Sequence, residues 1–262
     1  MMYETVKKNF KSCALFMLMI GLDLRKLLLL VNYKTYRNNY NEFIRLGGEV
    51  THKHVILNNF TDQAGTASGH YFHQDLLVAN LLFIRKPERH IDIGSRIDGF
   101  VAHVAAFRVI EVIDIRDLKD AGHKNLIFTK LDLMDEKKCE KEITDSLSCL
   151  HVIEHFGLGR YGDSIDPLGH KKGFNNLLKL LKPKGTLYIS FPIGTRNEVH
   201  FNAHRVFHPL DIFAWVENKE SISLERFDYV DDFGVLHQNF DIANNRVDVT
   251  HGCGIYSFIK LC

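Results

Sequence analysis

A short apolar strand that runs into a glycine turn constrains the fold of this chain more than any other feature. Residues 90–94 read His-Ile-Asp-Ile-Gly, and a second apolar run, about twenty residues later, ends at Asp114. A strand, a glycine turn, a helix, a strand and an acid form a unit that holds a nucleoside beside a sheet, because the acid accepts hydrogen bonds from both ribose hydroxyls. The sequence therefore predicts a nucleoside site at this edge of a sheet.

The glycine loop departs from the pattern that binds dinucleotides. In G-x-G-x-x-G the second glycine lets the backbone approach the pyrophosphate, and here that position is Arg96. A nicotinamide-dependent oxidoreductase fits Asp114 but not this loop, and it stays the less favoured class of enzyme.

Composition excludes several classes of partner. The 262 residues are 45% hydrophobic and carry a formal net charge of +1. This composition predicts one globular domain with a large core and an added segment. A net charge near zero gives no electrostatic case for binding nucleic acid or an anionic membrane.

The five cysteines are odd in number and scattered, and no C-x-x-C occurs. This usage predicts reduced thiols in a cytoplasmic protein. Cys and His pairs at zinc-finger spacing are absent from the sequence, so it predicts no metal.

The first 68 residues are predicted to form a helical extension and a loop. Residues 12–22 are apolar and follow three lysines, which superficially resembles a signal peptide. No small-residue cleavage site follows, and charged residues from Asp23 end the run too early for a transmembrane span. We expect a helix packed on the domain, with a peripheral membrane contact as the alternative.

Residues 69–262 alternate short apolar runs with helical patterns, which indicates a Rossmann-like α/β domain with a mostly parallel sheet. The predicted strands are 90–94, 109–114, 125–128, 145–150, 186–191, about 222–229 and about 253–260. The predicted helices are 71–84, 100–107, 173–181 and 209–217.

Ligands of such sheets bind beyond the carboxyl ends of the strands, so the residues there are candidates for the site. Asp132 follows the third strand and can meet the exocyclic amine of a base. His-Val-Ile-Glu-His at 151–155 follows the fourth strand. It does not match the zinc motif H-E-x-x-H, so we favour an active-site role for His151 and His155 over metal binding or simple packing.

Two later segments are predicted to recognise an acceptor. The glycine-rich loop at 156–167 carries Arg160, Tyr161 and two acids, Asp163 and Asp166, whose alternative role is to bind a divalent metal. In residues 201–207, His204 and Arg205 can reach the same cleft, and the arginine could hold a phosphate or carboxylate with two hydrogen bonds. The alternative for Arg205 is an ion pair in a packed corner.

The turn at Asp92–Gly94, the acids at Asp114 and Asp132 and the late strands resemble a class I S-adenosylmethionine-dependent methyltransferase. More narrowly, the chain resembles the domain-of-unknown-function family 268, methyltransferase-like proteins often encoded near bacterial surface-glycan genes. The matching stretches are 69–76, 90–100, 112–116, 146–166, 192–194 and 201–207.

The resemblance implies a seven-stranded sheet whose last strand, 254–260, inserts antiparallel, and S-adenosylmethionine as the cofactor. The implied cofactor contacts are Gln74, Asp92, Gly94, Ser95, Arg96, Asp114, Ile115, Asp132, Leu133 and His151. We expect His155 to act as the general base, with Glu154 and then His204 as alternatives. The implied acceptor contacts are Arg160, Tyr161, Asp163, His204 and Arg205.

The expected reaction is O-methylation of a small polar acceptor in surface-polysaccharide biosynthesis, either a sugar, a nucleotide-sugar or a phosphorylated precursor. Arg96 and Asp98 stand where a typical methyltransferase loop has its later glycines. A catalytically inactive Rossmann-like binding protein in a glycan-assembly complex is therefore the main alternative, and a homodimer is left open.

Overall fold

The computed structural model describes residues 17, 19, 21, 29–62, 64–119 and 122–261. The chain divides into two compact units, Met1–Thr66 and Ala67–Cys262. Most of the predicted N-terminal helix before residue 29, including most of the apolar run at 12–22, lies outside the described residues. No helix among the described residues is long and apolar enough to cross a membrane.

Between residues 29 and 62 the first unit has one α-helix, α1 (Tyr33–Arg45), within the segment predicted to be helical. It ends at the predicted glycine pair: the Gly48 amide donates to the Phe43 carbonyl, and Gly47 has a φ of +89°. After the helix, the Lys53 ammonium lies 4.3 Å from the centre of the Tyr40 ring.

The second unit is an eight-stranded sheet flanked by helices, which confirms the predicted Rossmann-like class I methyltransferase fold. The helices are α2 (His70–Arg85), α3 (Ala102–Ala105, entered through a π-turn at Ile97–Val101) and α4 (Gly169–Leu180). The first strands are β1 (His90–Ile93), β2 (Ile110–Asp114), β3 (Leu126–Lys130), β4 (Thr144–Leu150) and β5 (Leu181–Ile193). The later strands are β6 (Glu198–His200), β7 (His204–Val206), β8 (Ile222–Val230), β9 (Leu236–His237) and β10 (Gly252–Lys260).

The strand order is β3-β2-β1-β4-β5-β10-β8-β9, and β6 pairs with β7 in a separate ribbon. Strands β1 to β5 are parallel to one another, whereas β10 is antiparallel to both β5 and β8. The inserted antiparallel strand is therefore confirmed. The sheet has one strand more than expected, because the two residues of β9 pair with the end of β8.

Alternating side chains of the strands build a core on each face of the sheet. Ile91 and Leu147 belong to the core beneath α4, together with Phe174. Leu150 packs on the other face with residues of α2, such as Leu82. Helices on both faces explain why the strands read as nearly continuous apolar runs.

The predicted helix at 209–217 is wrong, because only a short 3-10 turn forms at Asp211–Ala214. Ile212 and Trp215 are both buried there, and residues three apart lie on the same side of a 3-10 turn. The predicted helix at 100–107 is also shorter than expected. Gly99 departs from helical angles, and a Cβ at this residue would meet the Asp75 carboxylate at 2.5 Å.

A buried polar row runs along β1, on the face opposite Ile91 and Ile93. The two ring nitrogens of His90 lie 2.9 Å from Ser146 Oγ and 3.1 Å from Ser148 Oγ. Burial, together with the nearby Arg108 charge, lowers the pKa of His90 from 6.5 to about 3. The ring is therefore neutral in the folded protein at every pH where the chain is expected to be stable.

We predict that this neutral ring makes the fold sensitive to acid. The unfolded chain protonates His90 below about pH 6.5, whereas the folded chain resists protonation down to about pH 3. Stability from this group is therefore full above pH 6.5 and falls with decreasing pH, by up to about 1.4 kcal/mol per pH unit. His90→Gln keeps a hydrogen-bonding side chain that does not titrate. The slope of unfolding free energy against pH, measured with urea, should be shallower in this variant by that amount. Identical slopes would contradict the neutral buried ring.

Candidate functional site

Most of the predicted residues gather at the carboxyl ends of β1 to β4, in two adjoining hollows. They share Gly94, Asp114, Arg116, His151, His155 and Tyr161. The hollow that we name the apolar recess adds Ile93, Ile113, Leu131, Leu133, Met134 and Phe156, among others. The second, the polar cleft, adds His70, Ser95, Arg96, Glu154, His204 and His251, among others, and its volume of about 590 Å³ suits a small-molecule ligand.

The glycine turn after β1 forms one wall of both hollows. Gly94 has a φ of +64°, and a Cβ at this residue would lie 2.8 Å from a methyl carbon of Val152. Only glycine therefore allows this close approach between the turn and the residue that follows His151. Ser95 donates to the buried Asp92 carboxyl through both its amide and its hydroxyl, which fixes the shape of the turn.

The acid at the end of β2 has a partner that sequence reasoning missed. Arg116 donates from its backbone amide and from Nε to Asp114 Oδ1, at 2.8 and 3.0 Å, and from Nη2 to Oδ2 at 2.6 Å. The same guanidinium lies 4.6 Å from the centre of the Tyr161 ring. The spacing Asp-x-Arg after a strand was the available signal, since it lets the arginine side chain fold back onto the acid.

The apolar recess is bordered by the third strand-end acid. Asp132 Oδ1 accepts a hydrogen bond from the Met134 amide at 2.9 Å, so the carboxylate is fixed at the mouth of the recess. Ile115 and Leu133 line the walls, as do Ile113 and Phe156. Apolar walls with the Asp132 carboxylate beside them can take a flat heterocycle that carries an amino group.

His151 stands directly after β4 in an uncommon backbone conformation, with a φ of +55°. Such conformations persist where the surroundings hold them, and here the His151 amide donates to the Ser190 carbonyl. The ring is buried, and its Nδ1 lies 2.8 Å from Glu154 Oε1. The rings of His70 and Tyr71 lie against the same imidazole, with centroids 5.4 and 5.0 Å away.

His155 presents one free nitrogen toward the carboxylate of Glu154. Its Nδ1 lies 2.7 Å from the Ala203 carbonyl, and because a carbonyl only accepts, Nδ1 carries the proton. Nε2 therefore has a lone pair, and it lies 3.7 Å from Glu154 Oε1. Burial lowers the pKa of His155 and outweighs the opposing effect of Glu154, so the ring is neutral near pH 7. The arrangement can accept a proton at Nε2.

Three predicted residues lie behind the walls of the hollows. Gln74 is buried and accepts a hydrogen bond from the Ser190 hydroxyl, and Asp92 holds the glycine turn. Arg205 is 3% exposed, and its guanidinium donates to the carbonyls of Glu154 and Phe156 and to those at 166 and 167. Arg205 therefore makes neither the predicted bidentate contact with an anion nor the alternative ion pair with an acid. Its guanidinium donors are taken up by backbone carbonyls.

The glycine-rich loop at 156–167 is organised by Asp163. Its carboxylate accepts hydrogen bonds from the amides of Gly157, Gly159 and Tyr161, at 2.8 to 3.2 Å. Asp163 still borders the apolar recess, but its oxygens serve the loop backbone. Arg160 and Tyr161 project from this loop into the polar cleft.

Sequence reasoning did not select several residues of the polar cleft, among them His70, Tyr71, Arg116 and His251. His70 and Tyr71 begin α2, which precedes the sheet, and His251 precedes the last strand. No local spacing links these positions. For His70 and His251 the only signal was the unusual number of histidines, 15 in the chain.

We predict that Arg205 stabilises the site rather than binding an acceptor. Arg205→Ala leaves buried carbonyls without donors, which should lower the free energy of unfolding by about 2–4 kcal/mol. Arg196→Ala is the control, because Arg196 forms an exposed ion pair with Glu198, and its loss should cost less than about 1 kcal/mol. Chemical unfolding measures both. An Arg205→Ala protein with unchanged stability would contradict this role.

Comparison with known protein families identifies the family of this chain. Residues 105–249, more than half of the chain, match the family described as "Caenorhabditis protein of unknown function, DUF268". The chain belongs to this family. No curated protein matches the DUF268 chain.

Solved structures resemble the DUF268 chain in fold. One is 1,6-didemethyltoxoflavin-N1-methyltransferase from Burkholderia thailandensis, with bound 1,6-didemethyltoxoflavin and S-adenosylhomocysteine. Its TM-score is 0.52 at 11% identity, over 88% of this chain and 89% of that one. Another is the [4+2]-cyclase SpnF, with a TM-score of 0.52 at 12% identity, over 71% of this chain and 81% of that one. These likenesses show the fold, which serves different chemistries in the two neighbours.

Proposed function

We propose that the chain is an S-adenosylmethionine-dependent methyltransferase that methylates a hydroxyl group of a small polar acceptor. The observation that carries the proposal is the placement of Gly94, Asp114 and Asp132 around adjoining hollows, each after one of three neighbouring strands. The methyltransferase from Burkholderia thailandensis has this fold and binds S-adenosylhomocysteine.

The residues present fit a nucleoside of this kind. Asp132 and the apolar recess suit the adenine, and Asp114 suits the ribose hydroxyls. The close approach of Gly94 leaves backbone rather than a side chain beside the ligand. Arg116 competes for Asp114, whose side chain is only 12% exposed, but the Arg116 side chain is 50% exposed and can turn away into solvent. The ribose would then share or replace the contact with the guanidinium.

The chemistry that the cofactor supplies when bound is a methyl group activated by a sulfonium. The chain has to orient the acceptor and remove its proton. We assign proton removal to His155 Nε2, because His155 borders the cleft and Nε2 keeps its lone pair while Nδ1 is fixed on the Ala203 carbonyl. Glu154 and His204 border the same cleft and are the alternatives.

The acceptor is proposed to be a sugar, a nucleotide-sugar or a phosphorylated precursor, used in surface-polysaccharide synthesis in the cytoplasm. Arg160, Tyr161 and His204 line the polar cleft and offer hydrogen-bond donors and a ring face to such a molecule. Arg160 donates one hydrogen bond to the Ala203 carbonyl and is otherwise exposed, so it can also meet a phosphate.

We predict that the chain binds S-adenosylmethionine and S-adenosylhomocysteine, and that Asp114→Ala weakens both by about 10–100-fold through lost charged hydrogen bonds. Calorimetry with the full chain measures the affinities. Asp135→Ala is the control, because Asp135 caps a 3-10 turn that borders neither hollow, and its affinity should be unchanged. Absence of heat with either ligand, from folded protein, would overturn the proposal. Binding without turnover of any acceptor would favour the inactive binding protein.

We predict that His155→Ala leaves the affinity for S-adenosylhomocysteine nearly intact and slows turnover by about 10²–10⁴-fold. Turnover is followed as transfer of the labelled methyl group to sugar and nucleotide-sugar acceptors. The exposed His123→Ala serves as the control and should turn over normally. Normal turnover in His155→Ala would move the base to Glu154 or His204.

A further inference from the structure

Three side chains with metal-binding atoms meet at the base of the polar cleft. They are His70 at the start of α2, His151 after β4 and Cys253 at the start of β10. One imidazole nitrogen of each histidine and the sulfur of Cys253 all lie within 4.8 Å of one another. This set shares only His151 with the His151–His155 pair, for which the sequence does not favour metal binding.

An independent observation points to a ligand at this place. The ring of His151 is 6% exposed, and its Nε2 has no hydrogen-bond partner among the described residues. A buried, unpaired ring nitrogen is costly, so such atoms call for a partner. The other nitrogen, Nδ1, is fixed by Glu154 at 2.8 Å. A carboxylate on one imidazole nitrogen is the arrangement that orients the second nitrogen toward a metal.

The thiol of Cys253 is also weakly used by the protein. It is fully buried, and its contacts to Gln74 Oε1 and to the Gly254 carbonyl are long, at 3.7 and 3.8 Å. Thiols are weak donors, so these two long contacts to oxygen acceptors hold the sulfur only weakly. Sulfur is therefore free to turn toward the two imidazoles.

We propose that His70, His151 and Cys253 bind a divalent transition metal of the zinc type. Two nitrogens and a thiolate select zinc and similar ions over magnesium and calcium, which prefer oxygen. A tetrahedral site with Zn–N near 2.0 Å and Zn–S near 2.3 Å separates its ligand atoms by about 3.3–3.6 Å. The side chains need to close by only about 1 Å from the observed spacing, which rotamer changes can supply.

The metal would keep one open position toward the polar cleft, since His70 and His151 both line it. Three protein ligands with an open fourth position is the form of zinc site that acts on a bound molecule. On the proposed function, this position would take the acceptor hydroxyl and make its proton easier to remove. Metal binding itself does not depend on that function.

The experiment is a cobalt(II) titration of the full chain after treatment with a chelator, followed by absorption spectroscopy. We expect tetrahedral d–d bands and a thiolate-to-cobalt charge-transfer band that saturate at one ion per chain, and that zinc bleaches. Cys253→Ser should lose the charge-transfer band, and His70→Gln should bind cobalt about tenfold or more weakly. Cys149→Ser is the matched control, because Cys149 is an equally buried thiol in the other core.

A charge-transfer band that survives in Cys253→Ser, or one that is lost in Cys149→Ser, would overturn the assignment, as would no band in the wild-type chain. If Cys253→Ser does not fold, His70→Gln decides, since His70 is only half-buried and helix α2 can begin with glutamine. The calorimetry with S-adenosylhomocysteine, repeated without metal, separates the two proposals. Heat of S-adenosylhomocysteine binding without a cobalt spectrum would contradict only the metal proposal. A cobalt spectrum without that heat would contradict only the methyltransferase proposal.

Discussion

The cleft depends on the buried carboxyl of Asp92, which ties the glycine turn to the neighbouring strand. Asp92 accepts hydrogen bonds from the amide and hydroxyl of Ser95 and from the hydroxyl of Ser148 on β4. Burial raises its pKa to about 7 despite these three donors. Ser95 in turn accepts a hydrogen bond from the Leu150 amide at the end of β4. The turn beside Gly94 and the backbone that leads into His151 are thereby held as one piece.

Those parts of the molecule that depend on local sequence could be predicted. The strand ends at Gly94, Asp114 and Asp132 follow from short apolar runs and from the rule that parallel strands align their carboxyl ends. The role of Arg205 could not be predicted, because its partners are backbone carbonyls supplied by a distant loop. Cys253 and His70 come together only because β10 inserts into the sheet and α2 packs on it. No spacing in the sequence predicts that they are close.

The fold alone does not determine which reaction the chain catalyses. Neighbours with this fold and similar TM-scores include a methyltransferase and a [4+2]-cyclase. This chain brings five imidazoles to one cleft, with His70, His151, His155, His204 and His251 on its walls. Imidazoles can take up protons or bind metals near neutral pH, so the groups that would carry the reaction belong to this chain rather than to the fold.

The loop at 156–167 is fastened from both sides, by Asp163 within it and by Arg205 beneath it. Gly157 fits only because it lacks a side chain, since a Cβ would meet the Asp166 carbonyl at 2.0 Å. A loop fastened in this way is already ordered before a ligand arrives, so little conformational entropy is lost on binding. The shape and charge that Arg160 and Tyr161 already present then determine which acceptors bind. Related chains that use a different acceptor are expected to differ at those two residues.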